Sequence, residues 1–118
     1  MKRPGKGQQI LTSVAVLTTV GGFLADWNRT HLFNPNWPPH AKFHDALSIL
    51  LGLFLGASGL YFLRRKWKEP ANDLALGTLL PSLFWMAQGA SFVFPGAEGF
   101  EGEMVNEACR TRIRTGTN

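Results

Sequence analysis

The sequence predicts an all-α integral membrane bundle with three transmembrane helices. The 118 residues contain three long stretches without Asp, Glu, Lys or Arg, of 19, 18 and 24 residues. A helix rises about 1.5 Å per residue, so roughly 20 apolar residues cross about 30 Å of hydrocarbon. Each stretch has about that length. The stretches lie between Lys6 and Asp26, between Asp45 and Arg64, and between Asp73 and Glu98.

The first predicted span covers residues 9–25 and is rich in Val, Leu and Thr. It follows a short basic leader, and a basic start before an apolar stretch is also the pattern of a secretory signal peptide. Cleavage after Ala25 would place the bulky Phe23 where a small residue is required. This favours a membrane span over a signal peptide.

The second predicted span covers residues 46–63, of which ten are Leu, Ile or Phe. Each of these contributes about −0.3 to −0.6 kcal/mol to membrane insertion near the bilayer centre. Ser48, Gly52 and Gly56 recur every four residues within it, and small residues on one helix face let helix backbones approach closely. They predict a helix-packing stripe, either inside the chain or between two copies.

The third predicted span covers residues 74–94 and contains Pro81, which predicts a kink. Gln88 is its most polar side chain, and we expect it to face the bundle or a ligand. Residues 1–97 are therefore predicted to form one transmembrane bundle. The polar tail, residues 98–118, is predicted to be disordered.

The distribution of Lys and Arg predicts the orientation. Three precede the first span and four occupy residues 64–68, whereas the 26–45 loop has only Arg29 and Lys42. Short loops rich in Lys and Arg stay in the cytoplasm. The N-terminus and the 64–73 loop are thus expected in the cytoplasm, with the 26–45 loop and the C-terminal tail on the opposite side. Because this accounts for the net charge of +4, no nucleic-acid partner is expected.

The 26–45 loop contains all three histidines. A helix that restarts at Pro39 or His40 would place His40 and His44 on one face, four residues apart. With His31 they would be a workable zinc or iron ligand set. We favour a structural role, so no metal and no cofactor is predicted. A bound metal and a bound lipid are the open alternatives.

Acid/base chemistry is a further alternative, because a carboxylate beside a histidine at a low-dielectric boundary can be tuned toward a neutral pKa. The candidate catalytic residues are Asp26, His31, His44 and Asp45. The candidate ligand-binding residues are Asn28, Trp37 and Gln88.

The loop pattern D-W-N-x-T-H-x-x-N-P-x-W-P-P-H-A-x-F-H resembles the first loop of a family of small, uncharacterised polytopic membrane proteins. The resemblance covers Asp26 to Asp45 well and the flanking spans loosely. It implies a membrane bundle of four helices, so a fourth span is absent here, and it implies no activity. More distantly, the acidic and aromatic loop is similar to that of sterol-isomerase-like membrane proteins, which bind sterols in a helical bundle.

The expected function is that of a non-enzymatic accessory or scaffold subunit of a membrane complex. Its expected partners are the lipid bilayer and either another membrane protein or a second copy. The alternative is a lipophile-binding protein or an isomerase-type enzyme that uses the His/Asp-rich loop. A transporter is disfavoured, because the spans lack the ionisable residues of an ion pathway.

Overall fold

The computed structural model describes residues 5–65 and 69–99, which form three α-helices and one short 3₁₀-helix. Helix α1 is Lys6–Asp26, α2 is Pro39–Arg64 and α3 is Pro70–Ala90, and the 3₁₀-helix is Ser91–Val93. These ranges contain no strand, so the predicted all-helical fold is confirmed. Part of the predicted basic loop (66–68) and most of the predicted tail (100–118) lie outside the described residues.

Prolines mark the starts of two helices. Pro38 is extended and Pro39 opens α2, since the fixed φ of proline suits a first helical turn, where no N–H is needed. Helix α3 begins at Pro70, so it includes polar residues that precede the predicted third span. Two of the helices, α1 and α2, are long and apolar enough to cross a membrane, judged over the described ranges.

The chain divides into two compact units, residues 1–87 and 88–118. The described part of the second unit holds the last residues of α3, the 3₁₀-helix and a turn. In that turn the Phe94 N–H donates to the Ser91 carbonyl at 3.2 Å, and the Ala97 N–H donates to the Phe94 carbonyl at 3.1 Å. Gly96 has φ +81°, a conformation that only glycine adopts without strain.

In the first unit, helices α1 and α2 meet at glycines of α2. A Cβ atom on Gly56 would lie 2.5 Å from the Thr19 backbone nitrogen and 2.8 Å from the Ala15 carbonyl oxygen. A Cβ on Gly52 would lie 3.0 Å from the Thr18 carbonyl oxygen. Both glycines are buried, whereas Ser48 is half-buried. The backbones of α1 and α2 are therefore in direct contact at this level.

Helix α3 packs on α2 through a second pair of glycines. A Cβ on Gly59 would overlap the ring of Pro81, and a Cβ on Gly77 would lie 2.6 Å from Leu63 Cδ2. Both added atoms would also lie 3.3 Å from the carbonyl oxygen of the opposite glycine. The helix continues through Pro81, whose ring fills the space that Gly59 leaves.

A hydrogen bond joins α1 to α3. The Thr18 hydroxyl donates to the Val14 carbonyl at 2.7 Å and accepts from the Trp85 indole N–H at 2.8 Å. Thr18 is 1% exposed, so its hydroxyl would carry a desolvation cost if it were unpaired. The contact fixes α3 against α1 by a directional bond rather than by apolar packing alone.

An ion pair closes the α2–α3 hairpin. Asp73, in the first turn of α3, is 0% exposed and accepts a hydrogen bond from Arg65 Nε at 2.8 Å. Arg65 Nη2 contacts the same carboxylate, and the guanidinium lies 4.9 Å from the Phe62 ring centroid. Removing Arg65 would leave the buried Asp73 carboxylate without its counter-charge, which lowers stability.

Replacing Gly56 with Ala should lower the melting temperature of the detergent-solubilised full chain. The added methyl group meets backbone atoms of α1, and overpacking of this kind costs roughly 1–3 kcal/mol. The matched control is Gly21→Ala on α1, where an added Cβ meets nothing within 4 Å. Alanine there should be neutral or stabilising by up to about 1 kcal/mol through helix propensity. Equal melting temperatures for the two variants would contradict the close contact.

Candidate functional site

The loop between α1 and α2 is folded by its own polar side chains. Asn28 Oδ1 accepts from the backbone N–H groups of Thr30 and His31, both at 3.1 Å, and from the Thr30 hydroxyl at 2.7 Å. Asn34 is buried, and its side chain bonds to the Thr30 carbonyl and the Asn36 N–H. Asn side chains that bond to nearby backbone groups replace the missing helical hydrogen bonds. The loop is therefore well defined without regular structure.

The ring of His31 is held on three sides. Its Nδ1 lies 3.0 Å from the Thr30 hydroxyl and 3.2 Å from Asn28 Oδ1, while its Nε2 lies 3.6 Å from Asp26 Oδ1. The Trp37 ring meets it edge-on, with 5.7 Å between the centroids. These contacts fix the orientation of the imidazole and point Nε2 at the last residue of α1.

Asp45 of α2 completes a group that we term the Asp26–His31–Asp45 cluster. Its carboxyl interacts with the Asp26 carboxyl and with the His31 ring. Its Oδ2 atom is buried and has no hydrogen-bond partner in the described part of the chain. A buried polar atom without a partner costs stability, and among the described residues Asp73 Oδ2 shares this feature.

The electrostatics of this cluster favour the protonated form of Asp45. Burial raises the pKa of the Asp45 carboxyl above its ordinary value of 3.8, the negative charge of Asp26 raises it further, and His31 opposes the shift. Asp45 precedes the apolar stretch 46–63. It lies in the second turn of α2, which has 26 residues and is about 39 Å long. Two carboxyl groups beside an imidazole can hold and pass on a proton.

The structure divides the four predicted catalytic residues. Asp26, His31 and Asp45 meet, whereas His44 lies on an exposed face of α2 with its Nε2 3.0 Å from His40 Nε2. That pair follows from the start of α2 at Pro39, which places the two rings one helical turn apart. For so short a contact one nitrogen must donate and the other accept.

The three histidines proposed as metal ligands are likewise separated. His40 and His44 are neighbours, and His31 faces Asp26. Residues 5–65 and 69–99 contain no group of three His, Cys, Asp or Glu side chains arranged to hold a metal ion.

The predicted ligand-binding residues are in different surroundings. The Asn28 side chain is engaged in the loop hydrogen bonds, and Trp37 is half-buried beside His31. Gln88 is exposed and belongs to the second unit. Sequence reasoning missed the buried polar contacts of Thr18 and Asp73. A threonine in an apolar stretch and an aspartate three residues after a helix-starting proline were the available signals.

The fold and the cluster together define a small all-helical protein with two apolar helices of membrane-spanning length and a structured polar loop between them. The chain belongs to DUF6640, a family of unknown function, whose sequence model matches residues 10–105. The match includes α1 from residue 10, the loop, α2 and α3, and it confirms the expected membership of an uncharacterised family. No curated protein and no solved structure matches the chain.

Replacing Asp45 with Asn should raise the melting temperature at pH 7. A carboxyl whose pKa is raised by folding binds its proton more tightly in the folded state, so the free energy of unfolding falls as pH rises through that pKa. Asparagine cannot ionise, so the variant does not carry the cost of a buried, ionised carboxylate at pH 7. The stabilisation by Asp45→Asn should therefore be absent near pH 4 and grow toward pH 7.

The matched control is Glu98→Gln, which removes an exposed carboxylate outside the cluster. The melting temperatures of both variants and of the unmodified chain are measured at several pH values between 4 and 7, and the effect of Asp45→Asn is compared with that of Glu98→Gln. A constant difference for Asp45→Asn would contradict the raised pKa.

Proposed function

We propose that the chain is a small integral membrane protein that acts as a non-enzymatic accessory or scaffold subunit of a membrane complex. The observation that carries the membrane assignment is the exposure of large apolar side chains on α1 and α2. Leu24 is 76% exposed, Ile10 64% and Phe54 60%. Of the 18 most apolar consecutive residues, only 11% in α1 and 28% in α2 are buried in the bundle.

This exposure separates two explanations for an apolar helix. The core helix of a water-soluble protein buries its apolar face against other elements, and large exposed apolar patches mark contacts with a membrane or another protein. Lipid would cover these side chains at no cost, and the helical backbone satisfies its own hydrogen bonds within hydrocarbon.

The internal hydrogen bonds of the loop favour a scaffold role. Asn28, Asn34 and Thr30 direct their polar groups at the loop backbone and at each other, so the loop is a preformed cap on the α1–α2 end. A rigid cap presents a constant surface to a partner without an ordering cost on association. The Lys and Arg distribution would place this cap on the side away from the cytoplasm.

Insertion and orientation can be measured with single cysteines in a chain whose Cys109 is replaced by Ser. Arg29→Cys in the loop before α2 and Ala71→Cys in the first turn of α3 replace exposed residues near opposite ends of α2. In intact cells an impermeant thiol reagent should label position 29, and position 71 should react only after permeabilisation. Alkaline carbonate should leave the protein in the membrane. The reversed labelling would overturn the orientation, and extraction by carbonate would overturn insertion.

The accessory role can be tested by photo-crosslinking within the native membrane. Phe54 and Tyr61 lie on exposed parts of α2, and Leu17 is an exposed residue of α1. A photoreactive phenylalanine analogue at Phe54 or Tyr61 should give one discrete adduct with the same partner protein, or with a second copy. The matched position on α1, Leu17, should give a different adduct pattern. Lipid adducts alone at all three positions would contradict an accessory subunit.

The second candidate function is lipophile binding or isomerase-type catalysis at the loop. It is favoured by the Asp26–His31–Asp45 cluster, in which a buried carboxyl oxygen lacks a partner. A carboxylic acid beside a fixed imidazole is suited to moving a proton on a bound sterol or quinone. Native mass spectrometry of the detergent-purified chain separates the two functions. A defined small molecule that is lost in Asp45→Asn supports this one.

A further inference from the structure

A groove lies at the other end of α1, far along the helix from Asp26. It has a volume of about 320 Å³ and is lined by Gln9, Thr12, Ser13 and Arg64. The start of α1 and the end of α2 are joined beside it, because the Gln8 side-chain amide donates to the Leu63 carbonyl at 3.3 Å. The groove is thus built from two helices, with the guanidinium contributed by α2 and the hydroxyl groups by α1.

Arg64 differs from its neighbour Arg65 in its pairing. Arg65 is engaged with the buried carboxylate of Asp73, whereas none of the carboxylates in the described ranges pairs with Arg64. A guanidinium carries five N–H donors in a planar fork that matches two oxygens of a phosphate or carboxylate. Within the described ranges Arg64 therefore brings to the groove a positive charge that no carboxylate pairs with. It lies in the last turn of α2, beside the partial negative charge of the helix C-terminus.

The α1 side of the groove also favours an anion. The Thr12 hydroxyl has no hydrogen-bond partner in the described part of the chain, so it can donate to a ligand. The Ser13 hydroxyl donates to the Gln9 carbonyl at 2.8 Å and lines the groove without a spare proton.

The position of the groove along α2, just after the apolar stretch, indicates the source of the anion. Arg64 is the first charged residue after the apolar stretch 46–63, which places it at headgroup level in an inserted chain. Basic pockets between membrane helices on the cytoplasmic side bind lipid phosphate groups.

We propose that this Arg64 groove binds a phosphate group, with the Arg64 guanidinium contacting two phosphate oxygens and the Thr12 hydroxyl donating to a third. A phospholipid headgroup and free inorganic phosphate share this chemistry. The headgroup source rests on the membrane insertion proposed above, whereas binding of free phosphate does not.

The test uses the full chain, purified and delipidated in detergent, with dihexanoyl phosphatidic acid, dihexanoyl phosphatidylcholine and inorganic phosphate as probes. Affinity is measured from the ligand-dependent shift in melting temperature, since a ligand that binds only the folded state stabilises it. Retained ligand is measured by native mass spectrometry. Phosphatidic acid should bind most tightly, because its terminal phosphate is not shielded by choline.

The variants separate a specific site from general charge attraction. Arg64→Gln should weaken phosphatidic acid binding about tenfold or more, the usual effect of losing a charged hydrogen bond. Thr12→Val removes one hydroxyl with little change of shape and should weaken binding less. The matched control is Arg29→Gln, which removes an exposed cation from the loop and should leave the affinity unchanged. If Arg64→Gln fails to fold, Thr12→Val carries the test.

Each result decides the proposal. Tight phosphatidic acid binding that falls in Arg64→Gln supports a lipid headgroup, and equal affinity for inorganic phosphate supports free phosphate as the source. The groove is overturned as a phosphate site if neither phosphatidic acid nor inorganic phosphate binds. It is also overturned if Arg64→Gln and Arg29→Gln weaken phosphatidic acid binding equally. Carbonate extraction of the chain would overturn membrane insertion instead, so the two failures are distinguishable.

Discussion

Direct contact between helix backbones is the constraint on which the rest of this structure depends. Helix α2 meets α1 at Gly56 and α3 at Gly59, and a side chain at either position would overlap its neighbour. Only such a close approach brings the Thr18 hydroxyl within reach of the Trp85 indole. It also sets the distance between the end of α1 and the start of α2, which the loop must close and across which Asp26 and Asp45 face each other.

The polar groups of the bundle divide into those that stabilise it and those that cost stability. Thr18 and Asp73 are fully buried, and they bond to Trp85 of α3 and to Arg65 after the end of α2, so they fix the packing that apolar contacts leave less specific. Among the described residues, Asp73 Oδ2 nevertheless has no hydrogen-bond partner, as is also true of Asp45 Oδ2. Asp45 is the opposite case, since its burial and the nearby Asp26 charge both penalise its ionised form. Sites that cost stability are often retained for function, which is why the cluster supports a second candidate function beside the scaffold.

Sequence patterns alone predicted the helical class, the approximate helices and the chemistry of the loop. Charge segregation and helix-starting prolines are local signals, and the i, i+4 spacing of His40 and His44 follows from helix geometry once Pro39 begins α2. The close Gly52 and Gly56 spacing was likewise readable as a small-residue stripe. Membrane insertion and orientation rest on the same charge pattern and stay predictions.

Which of these residues meet depends on how the helices and the loop pack, and the sequence patterns do not show it. The cluster of Asp26, His31 and Asp45 forms because two antiparallel helices and a loop folded by Asn28 bring these residues to one end. His44 lies on a different, exposed face of α2, beside His40. The contrast between Arg64 and Arg65 is also invisible in sequence. Arg64 is the last residue of α2, whereas Arg65 follows the helix with an extended backbone (φ −68°, ψ 158°). Their different pairing therefore depends on where the helix ends.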